Sequence, residues 1–198
     1  MEDALPALQS MLNDHGYERA VWMGHSYGSV YVSWILRNNP ELATKAVLLD
    51  PIVILLNLPA VCFNFVYRKP ASTVEFGLQY YAARELFISK SMSRNFHWYV
   101  QKIQSTLLIL YSFSRVQRLQ CILWSEDINV PTLIMLSESD AITNTTAIRK
   151  YIEKAKNPNV HTIWLHGCGH AQFLFVYVVV NGLAFSNLKQ TQPAWSYL

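Results

Sequence analysis

The sequence predicts an α/β fold with a mostly parallel sheet, on three observations. A short apolar run, Ala20-Val21-Trp22-Met23, passes through Gly24-His25-Ser26-Tyr27-Gly28 into a stretch with Val30, Tyr31, Trp34 and Ile35 at helical spacing. Two more compact apolar strands, at 130–136 and 161–165, run into loops rich in acid–base side chains. The region between, 52–128, is apolar and aromatic and reads as a helical insertion, so the chain divides into 1–51, 52–128 and 129–198.

In chain order, Glu2 to His15 reads as one helix, with Ala4, Leu5, Leu8, Met11 and Leu12 on a face and Gly16 closing it. The strand at 20–23 follows. A serine on the turn between this strand and the next helix is forced into a strained conformation that lifts its hydroxyl clear of the sheet. Gly24 and Gly28 are expected to lack side chains because a Cβ at either would collide where strand and helix approach. In the middle region, Ile52-Val53-Ile54-Leu55-Leu56 and the run from Val61 to Tyr67 are broken by Asn57 and Pro59. A bilayer span needs about 20 apolar residues, and these runs stop sooner. Val130 to Leu136 leads into Ser137-Glu138-Ser139-Asp140, with a helix beginning near Thr143. His161 to Leu165 ends in His166-Gly167-Cys168-Gly169-His170, whose glycines free the backbone to aim the last histidine back over the sheet.

A serine hydroxyl is a weak nucleophile without an adjacent base and a group that orients it. Ser26, Asp140 and His170 supply such a set in the order Ser, Asp, His, each at the end of a strand. Each also has a plainer reading: Ser26 as a small turn residue, Asp140 as a helix cap, His170 as a loop residue. Among the other histidines, His166 competes with His170 but lies too close to its strand end, and His25 is expected to pack or hydrogen-bond locally. His15, His97 and His161 show no ligand spacing, and no His-Glu-x-x-His pattern occurs, so neither metal nor cofactor is expected.

With those motifs the chain resembles the α/β-hydrolase superfamily, in the branch of single-chain serine hydrolases with a cap inserted between strands. The resemblance covers most of the sequence. It implies Ser26 as nucleophile, His170 as general base, Asp140 as orienting acid and the Tyr27 backbone N–H as an oxyanion donor. Lys45 to Asp50 then resembles the strand after the nucleophile helix, which makes Asp50 the alternative acid, with Glu138 a third. Residues 52–128 would form the cap and build an acyl or alkyl pocket. In that family a further half-sheet precedes the nucleophile strand and supplies the second oxyanion donor, commonly from a His-Gly stretch. Here the sequence before the nucleophile strand reads as a single helix closed by His15-Gly16, with no preceding strand and loop to carry such a donor, so the second donor is expected to be missing. Loss of one donor costs about 100- to 1,000-fold in turnover, and the nucleophile strand is expected to lie along an open edge. The implied activity is hydrolysis of a carboxylic ester or related small apolar acyl substrate. The competing expectation is an inactive truncated hydrolase, or a non-enzymatic binding protein that keeps the triad residues.

Composition narrows the remaining classes. At 198 residues the chain buries one sizeable core, and its net charge of +3 is scattered among aromatics, which does not imply nucleic acid. Three cysteines without a Cys-x-x-Cys pair point to free thiols in a reducing compartment. Met-Glu-Asp does not open a signal peptide, so the expected location is cytoplasmic, with contact between cap and membrane surface left open. Val100 to Gln120 and the sequence after Phe173 fit the family pattern poorly, and are read as either inserted non-family sequence or true divergence.

Overall fold

The structure, a computed structural model, describes residues 4–94 and 122–173. The expectations for Glu2, for the stretch 96–121 with Cys121, and for the sequence after Phe173 concern residues outside these ranges. Helix α1, Ala4–Asp14, buries Leu12 and packs Leu5 and Leu8 against the core, whereas Met11, expected on the same face, is exposed. Gly16 ends it in the left-handed conformation (φ 75°), and Tyr17 N–H bonds back to the Leu12 carbonyl at 2.9 Å.

Four strands follow: β1, Ala20–His25; β2, Ala43–Leu49; β3, Thr132–Ser139; and β4, Val160–Gly169. All pair in parallel in the order β1-β2-β3-β4, which gives the parallel sheet expected of an α/β-hydrolase. Parallel neighbours need a crossover. Helix α2, Gly28–Asn38, makes the first, and the helix at Thr145–Ala155, here α6, makes the last. β1 lies at the sheet edge, and among the described residues no strand pairs with its outer side.

Register assigns the two sheet faces. Trp22 pairs with Ala46 and Ala46 with Thr132, while Gly24 pairs with Leu48 and Leu48 with Ile134. This face meets Val30, Ile35 and Leu36 of α2 and Ile148 and Ile152 of α6 in the main core. The opposite face carries a smaller cluster of Val47, Leu49 and Leu133, against which Met135, Ile163 and Phe173 pack. β2 is apolar and buried on both faces from Ala46 to Leu49, as suits an inner parallel strand.

Between β2 and β3 the chain first returns to the core. Ile52, Val53, Ile54 and Leu56 are buried in the main cluster, and Leu123 N–H bonds the Val53 carbonyl at 3.0 Å. Short helices then follow: α3, Pro59–Cys62, continuing into a π-helical turn at Phe63–Tyr67; α4, Thr73–Leu78, continuing into another at Gln79–Ala83; and α5, Leu86–Arg94. Ser72 caps α4 by accepting from Glu75 N–H, while the Glu75 carboxylate accepts from Ala71 N–H at 2.8 Å. Among the described residues no helix is long and apolar enough to cross a membrane, and Cys62 and Cys168 are free thiols.

Candidate active site

The carboxyl ends of the four strands converge on Ser26. Its backbone lies at φ 48°, in the left-handed region that a side chain disfavours, and its N–H bonds the Leu49 carbonyl at 2.9 Å. The turn is further tied down by Ser29, a buried residue whose Oγ–H donates to the Ser26 carbonyl and whose Oγ accepts from Ile52 N–H at 3.2 Å. A Cβ on Gly24 would stand 2.7 Å from the Gly28 carbonyl oxygen and 2.8 Å from Val32 Cγ2. The matching expectation for Gly28 does not hold. A Cβ there would meet nothing within 4 Å, because Gly28 turns its α-carbon outward while its carbonyl faces Gly24. Tyr27 caps α2 with helical dihedrals (φ −59°, ψ −31°), its ring edge-on to Tyr31 at 6.2 Å.

Ser26, His170 and Asp140 form one hydrogen-bonded chain. Ser26 Oγ stands 2.9 Å from His170 Nε2, and His170 Nδ1 stands 2.8 Å from Asp140 Oδ2. The side chains of His170 and Asp140 are 5% and 0% exposed, so this bond is shielded from water. Asp140 Oδ1 also accepts from Ile142 N–H at 2.7 Å and Thr143 N–H at 3.1 Å, and Oδ2 from Thr143 Oγ1–H at 2.9 Å. Burial alone would push its carboxyl up. The hydrogen bond and charge of His170, with the Ile142 and Thr143 N–H groups, outweigh that and hold it below the ordinary carboxylate value. Asp140 does not cap α6; Asn144 does, its side chain accepting from Ala147 N–H at 3.0 Å.

The other candidates stand elsewhere. Asp50, the alternative acid, is fully buried and bonds Ser137 and Ala171 rather than the imidazole. Glu138 turns outward: it accepts from Gly167 N–H at 2.9 Å and lies 3.6 Å from the exposed His166 ring, and the Gly167 bond heads the causes that lower its carboxyl. His166 is thereby separated from the serine. His25 lies flank to flank with His170 at 5.4 Å between ring centroids, and edge-on to Phe173 at the same distance. Its Nε2 is buried with no hydrogen-bond partner among the described residues, and burial, then the neighbouring His170, lower its pKa from 6.5.

Asp50, Asp140 and His170 bring one donor atom each to within 4.8 Å of the others, the kind of spacing a cation site also uses. Here His170 Nδ1 and Asp140 Oδ2 bond each other, and Asp50 is turned to hydroxyl and N–H donors. Sequence reasoning did not mark Ser29, Ser137, Thr143 or Ala171, whose roles rest on partners brought close only by folding. Beside the acid loop, Asn64 Nδ2–H donates to the Ile142 carbonyl at 3.0 Å, and a shallow cleft lies between Phe65, Leu78, Ala141 and Ile142.

Comparison with known proteins follows the same lines. An esterase of Pyrococcus furiosus superposes with a TM-score of 0.52 at 14% identity, over 89% of this chain and 56% of that one. A monoacylglycerol lipase of Paleococcus ferrophilus gives 0.48 at 16% identity, over 91% and 74%. A meta-cleavage product hydrolase from Pseudomonas fluorescens IP01 gives 0.48 at 16%, over 86% and 66%. The chain thus spans about two thirds of the length of such structures. No curated protein sequence matches it. The sequence pattern of the family described as serine aminopeptidase, S33, matches residues 1–174, and the chain therefore belongs to this family of α/β-hydrolases.

Proposed function

We propose that the protein is a serine hydrolase acting on a carboxylic ester or a related small acyl compound. The observation that carries this reading is the pair of contacts from Ser26 Oγ to His170 Nε2 at 2.9 Å and from His170 Nδ1 to Asp140 Oδ2 at 2.8 Å. With Nδ1–H donating to Asp140, Nε2 is left to accept the serine proton. Ser26 Oγ then bonds the acyl carbon as its proton passes to Nε2, and the tetrahedral oxyanion accepts from the Tyr27 N–H. The bond to the leaving group breaks as Nε2 returns the proton to it, giving an acyl-serine. Water adds to that carbon, its proton again taken by His170 and then given to Ser26 Oγ as the acid departs. No cofactor enters the reaction.

Helices α3 to α5 act in this reading as a cap beside the acid loop, and their apolar side chains favour an apolar acyl group. The esterase and lipase names of the structural neighbours agree with a small-molecule ester, whereas the family description points to aminoacyl amides. A fluorophosphonate probe tests the nucleophile: wild type is expected to be labelled, and Ser26→Ala and His170→Ala to lose labelling. Turnover of short esters against aminoacyl amides then separates the two substrate classes. Folded wild type that is not labelled would instead support the competing reading, a protein that keeps the triad residues without turnover.

A further inference from the structure

Asp50 is a fully buried carboxylate that the serine mechanism leaves unused. It follows β2 with φ at 42°, and its two oxygens gather three donors. Oδ1 accepts from Ser137 N–H at 2.8 Å; Oδ2 accepts from Ser137 Oγ–H at 2.9 Å and from Ala171 N–H at 3.1 Å. Ala171, directly after His170, is itself left-handed at φ 63°. Two strained residues and a buried charge are thus tied to one another behind the imidazole, where strain is expected to be held only by a surrounding that over-determines it.

We propose that Asp50 is a positioning residue for His170. Resting on the hydrolase reading, its carboxylate holds the turn that carries the imidazole at the distance needed from Ser26. Its charge also supports the imidazolium that forms when Ser26 gives up its proton. The end of β3 hangs on the same group through Ser137, so the acid loop and the histidine turn share one anchor. Charged and titratable groups face Asp50 from each neighbouring element: His25 from β1, Asp140 beyond β3 and His170 beyond β4, with Glu138 turned away toward Gly167. A carboxylate beside an imidazole favours its cation, and a second histidine beside it opposes that.

Asp50→Asn keeps the shape but replaces one acceptor by a donor, so one of the three donors loses its partner. Its labelling rate with the fluorophosphonate is expected to fall at least tenfold, with kcat reduced and KM unchanged on a short ester. The midpoint of the acidic limb is expected to move down by about one pH unit. Ser137→Ala leaves the charge and removes a donor that offsets it, so its midpoint moves the opposite way. The ring titration of His170, followed by NMR in the same proteins, reads the same shifts without turnover. A melting temperature lowered in Asp50→Asn with an unmoved ring titration would reduce Asp50 to a structural group and overturn the proposal. Where Asp50→Asn does not fold, Ser137→Ala decides it, and an unmoved or lowered midpoint overturns it. Wild type that is not labelled would remove the hydrolase reading, while the titrations still judge Asp50.

Discussion

At Gly24 a hydrogen in place of a methyl group decides whether the serine turn can close, since the added carbon would meet the Gly28 main chain as well as the Val32 side chain. Gly24→Ala is therefore expected to cost about 1–3 kcal/mol through overpacking and to abolish probe labelling. Gly28→Ala, with open space around its α-carbon, is expected to change stability by less than about 0.5 kcal/mol; urea denaturation of the two variants makes the comparison. The same pair shows how far the sequence could be read at this scale: the serine between two glycines was legible, the difference between the glycines was not, because it depends on which α-carbon points at Val32. His25 invites a pH argument. Its pKa is lowered in the folded protein, so the unfolded chain binds its proton first as pH falls below about 6.5, and stability contributed by the neutral ring is lost there. His25→Phe cannot take up that proton. Its urea midpoint is expected to fall less than that of wild type between about pH 7.5 and about pH 5.5, and parallel curves would show that the ring's burial carries no such linkage.

Among the elements, the strands and helices with an uninterrupted apolar period were the legible ones. β1, α2, β3 and β4 lie on the runs that periodicity marks, but β3 and β4 run on to Ser139 and Gly169 because those residues pair across an irregularity in the ladder. A ladder bond depends on the partner strand and leaves no mark in either segment alone. The helix after the acid loop begins at Thr145 rather than near Thr143, since the Thr143 N–H and hydroxyl are taken by Asp140 and the capping duty falls to Asn144. Asn144→Ala is expected to cost about 1 kcal/mol without moving the labelling rate, measured by thermal melting beside the probe reaction. If labelling falls with it, the start of α6 and the acid loop behave as one unit. Ile52 to Leu56 read as the opening of the insertion, yet these residues fill the main core, because the chain doubles back under Leu123 before the short helices begin. The bonds from Asp50 to Ser137 and Ala171 span 87 and 121 residues, and no local pattern announces them.

On the scale of the whole molecule the two sheet faces are unequally covered among the described residues. The face of Ala46, Leu48 and Ile134 lies under α2 and α6, whereas on the other Val21 and Met23 of β1 are 52% and 64% exposed beside the buried Val47. Among the described residues β1 is also an edge strand, so its outer N–H and C=O groups and its apolar side chains point the same hazard at solvent. Such an edge is a template for a second chain. A single charge there weakens strand addition without touching the core, because Met23 faces away from Val30 and Ile35. Met23→Lys is therefore expected to reduce concentration-dependent association of the 198-residue chain, followed by sedimentation velocity, while the melting temperature and probe labelling stay near those of wild type. Association that persists unchanged would mean that the contact runs through another surface, the exposed aromatic side chains Phe63, Phe76 and Tyr81 being the next to replace. A lowered melting temperature would mean that Met23 is covered in solution, and the edge of β1 would then be a packed part of the molecule.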